Sequence, residues 1–176
     1  MEIAEVDERT ASLVAAAMGS DGDLVATRLA RGCRCFVASS GREVAGYGWV
    51  STGPEWIGEI QLEIRPREGE GYIWNCVTLP EHRRQGVFSS LLVGICGVAR
   101  REGLGRLWIG SVAIPAEKAV GPAGFRPALR FEAVNLGSLS WLRVTAAGDP
   151  SLAADGCGVL SVGPGMALRR SLRRRH

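Results

Sequence analysis

The sequence predicts a single α+β domain, and three observations carry that prediction. From Val87 onward the apolar residues recur at spacings of 3 and 4, with Phe88, Leu91, Leu92, Ile95, Cys96 and Ala99 on one stripe, which is a long amphipathic helix. Directly before it, Tyr72 to Leu79 crowds β-branched and aromatic residues until Pro80 stops the ladder, which is a strand. Around this strand–helix unit, helical and alternating stretches succeed one another within 176 residues, a length that fits one domain with a sizeable core.

Taken in order, Met1 to Val6 supplies a short first strand. Asp7 to Met18 is rich in alanine and leucine and reads as a helix, with Asp7 or Thr10 placed to cap it. Gly19 to Gly22 breaks it, and a second helix runs from about Asp23 to Ala30, with Gly32 as its stop. Cys33 to Ser39 and Glu43 to Ser51 form a hairpin around Gly41. Glu59 to Ile64 alternates polar and apolar residues, as a half-buried strand does. Beyond the long helix, Arg106 to Ala113 reads as a buried strand. Pro115 to Val120 can be a short helix, ended by Gly121-Pro122. Gly124 to about Val134 and Ser138 to Val144 are the last two strands. Residues 146–168, rich in Gly, Pro, Ala and Ser, read as an irregular segment, and an arginine tail closes the chain.

Composition removes several classes of function. Apolar content of 46 % and charged content of 22 % describe a globular protein. The net charge of +3 is concentrated at Arg169, Arg170, Arg173, Arg174 and Arg175. With those five set aside, 16 basic residues face 18 acidic ones, so the body is not a basic nucleic-acid surface. The tail lacks an aromatic residue for base stacking and reads as a solubilising arm. Five cysteines without a C-x-x-C pair, and only two histidines, argue against a disulfide framework and against a metal site. Neither a membrane-spanning run nor a signal peptide is read, and a reducing cytoplasm is the expected location.

The chemistry-bearing stretch is Thr78-x-Pro80-x-x-Arg83-Arg84-Gln85-Gly86-Val87-Phe88-Ser89. A strand passing through a basic, glycine-containing turn into a helix start presents unpartnered N–H groups at the positive end of a helix dipole. That is an anion site. Arg83-x-x-Gly86-x-Phe88 resembles the Arg/Gln-x-x-Gly-x-Gly/Ala loop of the GNAT superfamily of N-acetyltransferases, which holds the pyrophosphate of acetyl-CoA. The order of elements over roughly residues 1–145, and Gly124-Phe125 after a short helix, are similar to that family as well. Residues 72–80 look closest to a bacterial subgroup of uncharacterised members.

The resemblance implies an α/β/α sandwich with a central mixed, mostly antiparallel sheet of about six or seven strands, splayed at a cofactor cleft. It implies an acetyltransferase domain at 1–145 followed by a Gly/Pro-rich segment and basic tail at 146–176. It implies acetyl-CoA as co-substrate with no metal, a small-molecule or peptide amine as acceptor, and a homodimer of the kind common in such folds. The pantetheine arm would pair with peptide groups of Cys76, Val77 and Thr78, opposite Trp108 to Ser111. The pyrophosphate would rest on Arg83, Arg84, Gln85, Gly86, Val87, Phe88 and Ser89, where Phe88 replaces the family's small residue.

Proton transfer is where this chain departs from the family. The carboxylate that many members carry on the central strand is Asn75 here, which can hold a water but has no basic lone pair to offer. Glu63 is the favoured base because its strand is expected to pair with the central one; Glu59, Glu68 and Glu70 are the alternatives. His82 would lie roughly 20 Å along the chain from Asn75 and reads as a turn residue. The family's proton-donating tyrosine corresponds to Val120, and its helix-heading asparagine to Ala113 or a neighbour. The expected activity is therefore acyl transfer from acetyl-CoA to a primary amine by direct attack. A catalytically weak acyl-CoA-binding module on the same fold is the second expectation.

Overall fold

A computed structural model describes residues 1–58, 62–111, 118–136, 139–163 and 165–170. Two compact units divide the chain, one from Met1–Gly53 with Pro66–Phe125, the other from Pro54–Arg65 with Arg126–His176.

The first unit contains β1 (Glu2–Glu5), α1 (Ala11–Met18), α2 (Leu24–Ala30), β2 (Arg34–Ser40), β3 (Glu43–Ser51), β6 (Glu70–Thr78), α3 (Val87–Arg101) and β7 (Arg106–Ile109). Its sheet has the order β1-β2-β3-β6-β7, antiparallel throughout except for the parallel β6–β7 pair. On one face α1 and α2 cover Val14, Met18, Val25, Cys35, Val37 and Trp49. On the other, α3 packs Val87, Leu91, Leu92 and Ile95 against Phe36, Val50 and Ile73. The helix stripe and the strand alternation read from the sequence therefore meet in two apolar layers, and apolar burial holds the sandwich together. At the start of α1, Asp7 Oδ1 accepts from the N–H groups of Arg9 and Thr10, at 3.1 and 2.9 Å.

Arg34 ties the edge of this unit together. Its guanidinium donates to both carboxylate oxygens of Glu5 on β1, at 2.7 and 2.6 Å, and to both of Glu102 at the end of α3, at 2.5 and 2.8 Å. These hydrogen bonds hold the Glu102 carboxyl below its ordinary range. A carboxyl depressed in the folded state contributes stability that is present above its unfolded value near 4.5 and is lost as pH falls below it. Arg34→Met should cost about 1 kcal/mol near neutral pH, the magnitude of partly exposed pairs. The gap from the parent should narrow as denaturant melts are repeated at falling pH; a gap independent of pH would rule out the carboxylates as its source.

The second unit holds β4 (Glu55–Ile57) paired with β5 (Leu62–Ile64), and β8 (Leu129–Leu136), β9 (Leu139–Ala146), α4 (Pro150–Val159) and β10 (Gly165–Arg170). Three expectations are corrected here. Among the described residues the main sheet has five strands rather than about six or seven, and the last hairpin forms a separate three-stranded sheet, β10-β9-β8. Residues 146–168 are not irregular: Asp149 accepts from the N–H groups of Ser151 and Leu152 and caps α4, with Pro150 at its first position. Arg169 and Arg170 belong to β10, opposite Ser140 and Leu139, rather than to a tail. Glu59, Gln61, Ala113, the first part of the expected 115–120 helix and Arg173 to Arg175 lie outside the described residues; 118–120 are helical. No helix among the described residues is long and apolar enough to cross a membrane.

Candidate active site

β6 is longer than its pairing with β7. The parallel ladder runs from Glu70 opposite Arg106 to Ile73 opposite Ile109 and ends there, while β6 continues to Thr78. On its other side β6 stays paired with β3 as far as Thr78 opposite Gly46. Among the described residues, 74–78 thus have no strand partner on that edge, and the β6–β7 pairing ends at Ile73–Ile109, the apex of a V between the two strands.

A β-bulge at Asn75 accompanies the opening. The β3–β6 register passes from Trp49–Trp74 to Tyr47–Val77, so Gly48 alone faces Asn75 and Cys76. Asn75 has φ +44°, a left-handed conformation that asparagine tolerates better than most residues. The extra residue breaks the two-residue alternation: Ile73 and Cys76 pack on the α3 face, Trp74 and Val77 on the α1/α2 face. Gly48 makes room for it, since a Cβ there would lie 2.8 Å from Cys76 Sγ and 3.0 Å from Leu91 Cδ2. Leu79 N–H donates to Ala45 O on β3 at 2.9 Å. Alternation back along the strand then turns the peptide groups of Val77 toward Tyr47, and those of Cys76 and Thr78 to the free edge.

The turn after β6 is built from backbone. Pro80–His82 forms one 3₁₀ turn, Arg83 is extended, and Arg84 and Gly86 take φ values of +62° and +75°. Gly86 is the N-cap of α3, and its conformation is one that only glycine adopts without cost. None of the amides of Arg84, Gln85, Gly86, Val87, Phe88 or Ser89 donates to a backbone carbonyl among the described residues; the first helical bond is Ser90 N–H to Gly86 O, at 2.9 Å. No acidic side chain stands in the first turn of α3, and Arg83 and Arg84 are exposed beside it. Phe88 leans onto the apolar layer under α3, which leaves its backbone to face the turn. These are the features of an anion cradle.

The acidic candidates fare differently. The strand of Glu63 does not pair with the central one as expected: β5 pairs with β4, Glu63 opposite Trp56, and Glu63 forms an ion pair with Arg65. β5 belongs to a two-stranded sheet with β4 and not to the sheet that contains β6. Glu70 is buried and committed, accepting from Trp108 Nε1 at 3.0 Å and from Arg106 at 3.3 Å, a clamp that fastens the closed end of the V. Glu68 is exposed in the turn before β6. His82 Nε2 is 3.9 Å from Glu43, too long for a hydrogen bond. All five cysteines are free, and burial pushes the Cys35 and Cys76 thiols up to about 12, which fits packing rather than nucleophilic chemistry.

Sequence reasoning missed two features. The first is the bulge; its signal was Gly46-x-Gly48 inside a strand, since glycine there marks a bulge or a close approach. The second is Arg28 of α2, a buried residue whose guanidinium lies 4.7 Å from the Trp74 ring centre and 5.1 Å from that of Trp49, on the α1/α2 face beside the bulge. Nothing in the helical pattern separates this arginine from the exposed ones.

The sequence model of the acetyltransferase (GNAT) family matches residues 7–121, which span the sandwich, the cleft and the cradle. The chain belongs to the GNAT acetyltransferase family. Among curated protein sequences none matches it. Solved structures share the fold at low identity. A probable acetyltransferase aligns at 19 % identity with a TM-score of 0.57, over 77 % of this chain and 97 % of its own. A ribosomal-protein-alanine N-acetyltransferase from Brucella melitensis biovar Abortus 2308 aligns at 14 % and 0.57, over 77 % and 100 %. An aminoglycoside N-acetyltransferase, AAC(6')-Iy, solved in complex with CoA, aligns at 14 % and 0.54, over 77 % and 98 %. At these identities the likeness shows the fold alone.

Proposed function

We propose that this protein transfers an acetyl group from acetyl-CoA to a primary amine of a small molecule or peptide, by direct attack in the cleft between β6 and β7. The observation that carries the reading is the row of amides at residues 84–89 that, among the described residues, donate to no backbone carbonyl, set at the foot of a strand whose residues 74–78 have no described partner on the outer edge. The diphosphate rests on the cradle, with Arg83 and Arg84 adding charge and Gln85 to Ser89 adding N–H donors. The pantetheine arm runs along β6 and pairs with the outward peptide groups of Cys76 and Thr78, with Val77 packed behind them. From Thr78 back to Ile73 is about 16 Å of strand, a span suited to an extended pantetheine, so the thioester reaches the apex of the V. The acetyltransferase domain on this reading is residues 1–145, and the family match at 7–121 supports it.

Transfer then rests on proximity and on backbone donors near the carbonyl oxygen. With β5 paired to β4, the reason for giving Glu63 the base's role is gone, and the amine's proton leaves through water, for which the Asn75 amide is a suitable anchor. Val120 in place of an acid favours a second reading, a CoA-binding module with weak catalysis. Calorimetry with CoA tests the site common to both. A free-thiol assay with acetyl-CoA over a panel of amines separates them: release that depends on the amine is expected, and a flat panel with CoA still bound would select the module.

A further inference from the structure

We infer that Arg28 of α2 is a positioning residue for the acyl donor: its guanidinium holds the indole of Trp74, and through it the bulge that turns the peptide groups of Cys76 and Thr78 outward. The inference rests on the acetyl-transfer reading above. Trp49 and Trp74 form the last regular pair between β3 and β6 before the register shifts, and Asn75, with φ +44°, follows at once. The two rings lie 6.1 Å apart at 35° to one another, and the Arg28 guanidinium carbon is 5.1 Å from the centre of the first and 4.7 Å from that of the second. A buried charge is costly, and the faces of two indoles are a place where a planar, delocalised cation is accepted.

Trp74 is gripped from a second side. Its Nε1–H donates to Ser51 Oγ on β3 at 3.0 Å, and the Ser51 hydroxyl donates to Cys33 Sγ at 3.3 Å. The Cys33 N–H donates to the carbonyl oxygen of Arg28 at 3.0 Å. These contacts close a circuit that starts and ends on Arg28 and ties α2, the residue before β2, β3 and β6 together. Ring face and indole nitrogen together fix the tilt of Trp74, the residue next to the left-handed Asn75. Such a backbone persists only where its surroundings hold it. Among the described residues β7 gives no help, because its ladder with β6 ends at Ile73. Without the cation Trp74 can tilt, and the peptide groups of Cys76 and Thr78 shift with it. The cradle lies apart from this circuit, since α3 packs on the opposite face of the sheet.

The test is Arg28→Met, which keeps much of the side chain's length and removes the charge. We expect CoA to bind about tenfold more weakly, the size of a desolvated cation–π contact. ADP, which offers a diphosphate without pantetheine, should compete as well as it does in the parent. In the ligand-free variant, hydrogen exchange at residues 74–78 should quicken several-fold while that at 70–73 holds. Arg28→Lys, which keeps a cation beside the rings, should recover part of both effects. Ser51→Ala, which releases the indole nitrogen and leaves Arg28 in place, should show the same signature and serves if Arg28→Met does not fold. If the variants melt earlier yet keep the parent's CoA affinity and exchange pattern, Arg28 only fills the layer and the inference is overturned. Equal weakening of CoA and ADP overturns it as well, since the cradle has then moved. A parent that does not bind CoA brings down the acetyl-transfer reading instead, while exchange at 74–78 still decides whether Arg28 holds the bulge.

Discussion

Gly86→Glu is expected to abolish CoA binding and leave the protein folded. Gly86 has φ +75°, and a Cβ built there meets nothing within 4 Å, so the substitution causes no clash. What it adds is backbone strain of about 1–2 kcal/mol, bearable for a folded domain, and a carboxylate beside the amides proposed to hold phosphate oxygens. At roughly 5 Å and an effective dielectric near 20, each pair of like charges costs about 3 kcal/mol before screening by solvent. Affinity should therefore fall at least about a hundredfold. Gly86→Ala carries the strain without the charge, so it should melt at a similarly lowered temperature while binding CoA within several-fold of the parent. Calorimetry and thermal melting on both variants decide the matter. Equal weakening by Ala and Glu would mean that loop shape, rather than charge, governs the site.

Gly46→Ala should damage stability and CoA binding together. A Cβ at Gly46 would lie 2.6 Å from Val77 O and 2.9 Å from Val87 Cγ1. The first neighbour is backbone of the strand that forms the cleft, and the second is the first residue of the helix that forms the cradle. The methyl group can be admitted only by pushing β6 and the start of α3 apart from β3. Forced insertion of this kind costs about 1–3 kcal/mol, and a carbonyl that cannot step aside puts the figure at the upper end. That corresponds to a fall of roughly 5–10 °C in Tm for a chain of this size. Adding Val87→Ala relieves only the side-chain half of the conflict, so the double variant should recover part of the loss and no more. A Tm within about 1 °C of the parent would show that the two strands are not held at the spacing described.

Much of this site could be read in one dimension. Strand, proline, arginines, Gly86 and amphipathic helix are consecutive, and a helix N-terminus carries its positive pole wherever it is placed. The turn and helix start proposed as the cradle were therefore legible from Thr78 to Ser89. Phe88 replaces the family's small residue, and its packing onto the apolar layer under α3 leaves backbone rather than side chain toward the turn. The capping of α4 by Asp149 with Pro150 was also present in the sequence, hidden inside a stretch whose glycine and alanine content suggests irregular chain.

Partners distant along the chain were not legible. Glu63 alternates correctly for a strand beside β6, yet alternation says which face a residue occupies and nothing about which strand it joins. Asn75 reads from the sequence as a missing base and in the fold as the residue that can hold a left-handed bulge. Arg28 and Trp74 belong to different elements, and only the packing of α2 on the sheet brings the guanidinium to the ring.

The sequence by itself determined the periodicities that make the elements and the glycine turn into α3, because both follow from local backbone chemistry. The tertiary structure alone decided where β6 loses its partner, which way its free peptide groups point and which side chains pack beside the bulge. Those depend on strand register and on one inserted residue, and register is settled by packing between segments that no local pattern connects.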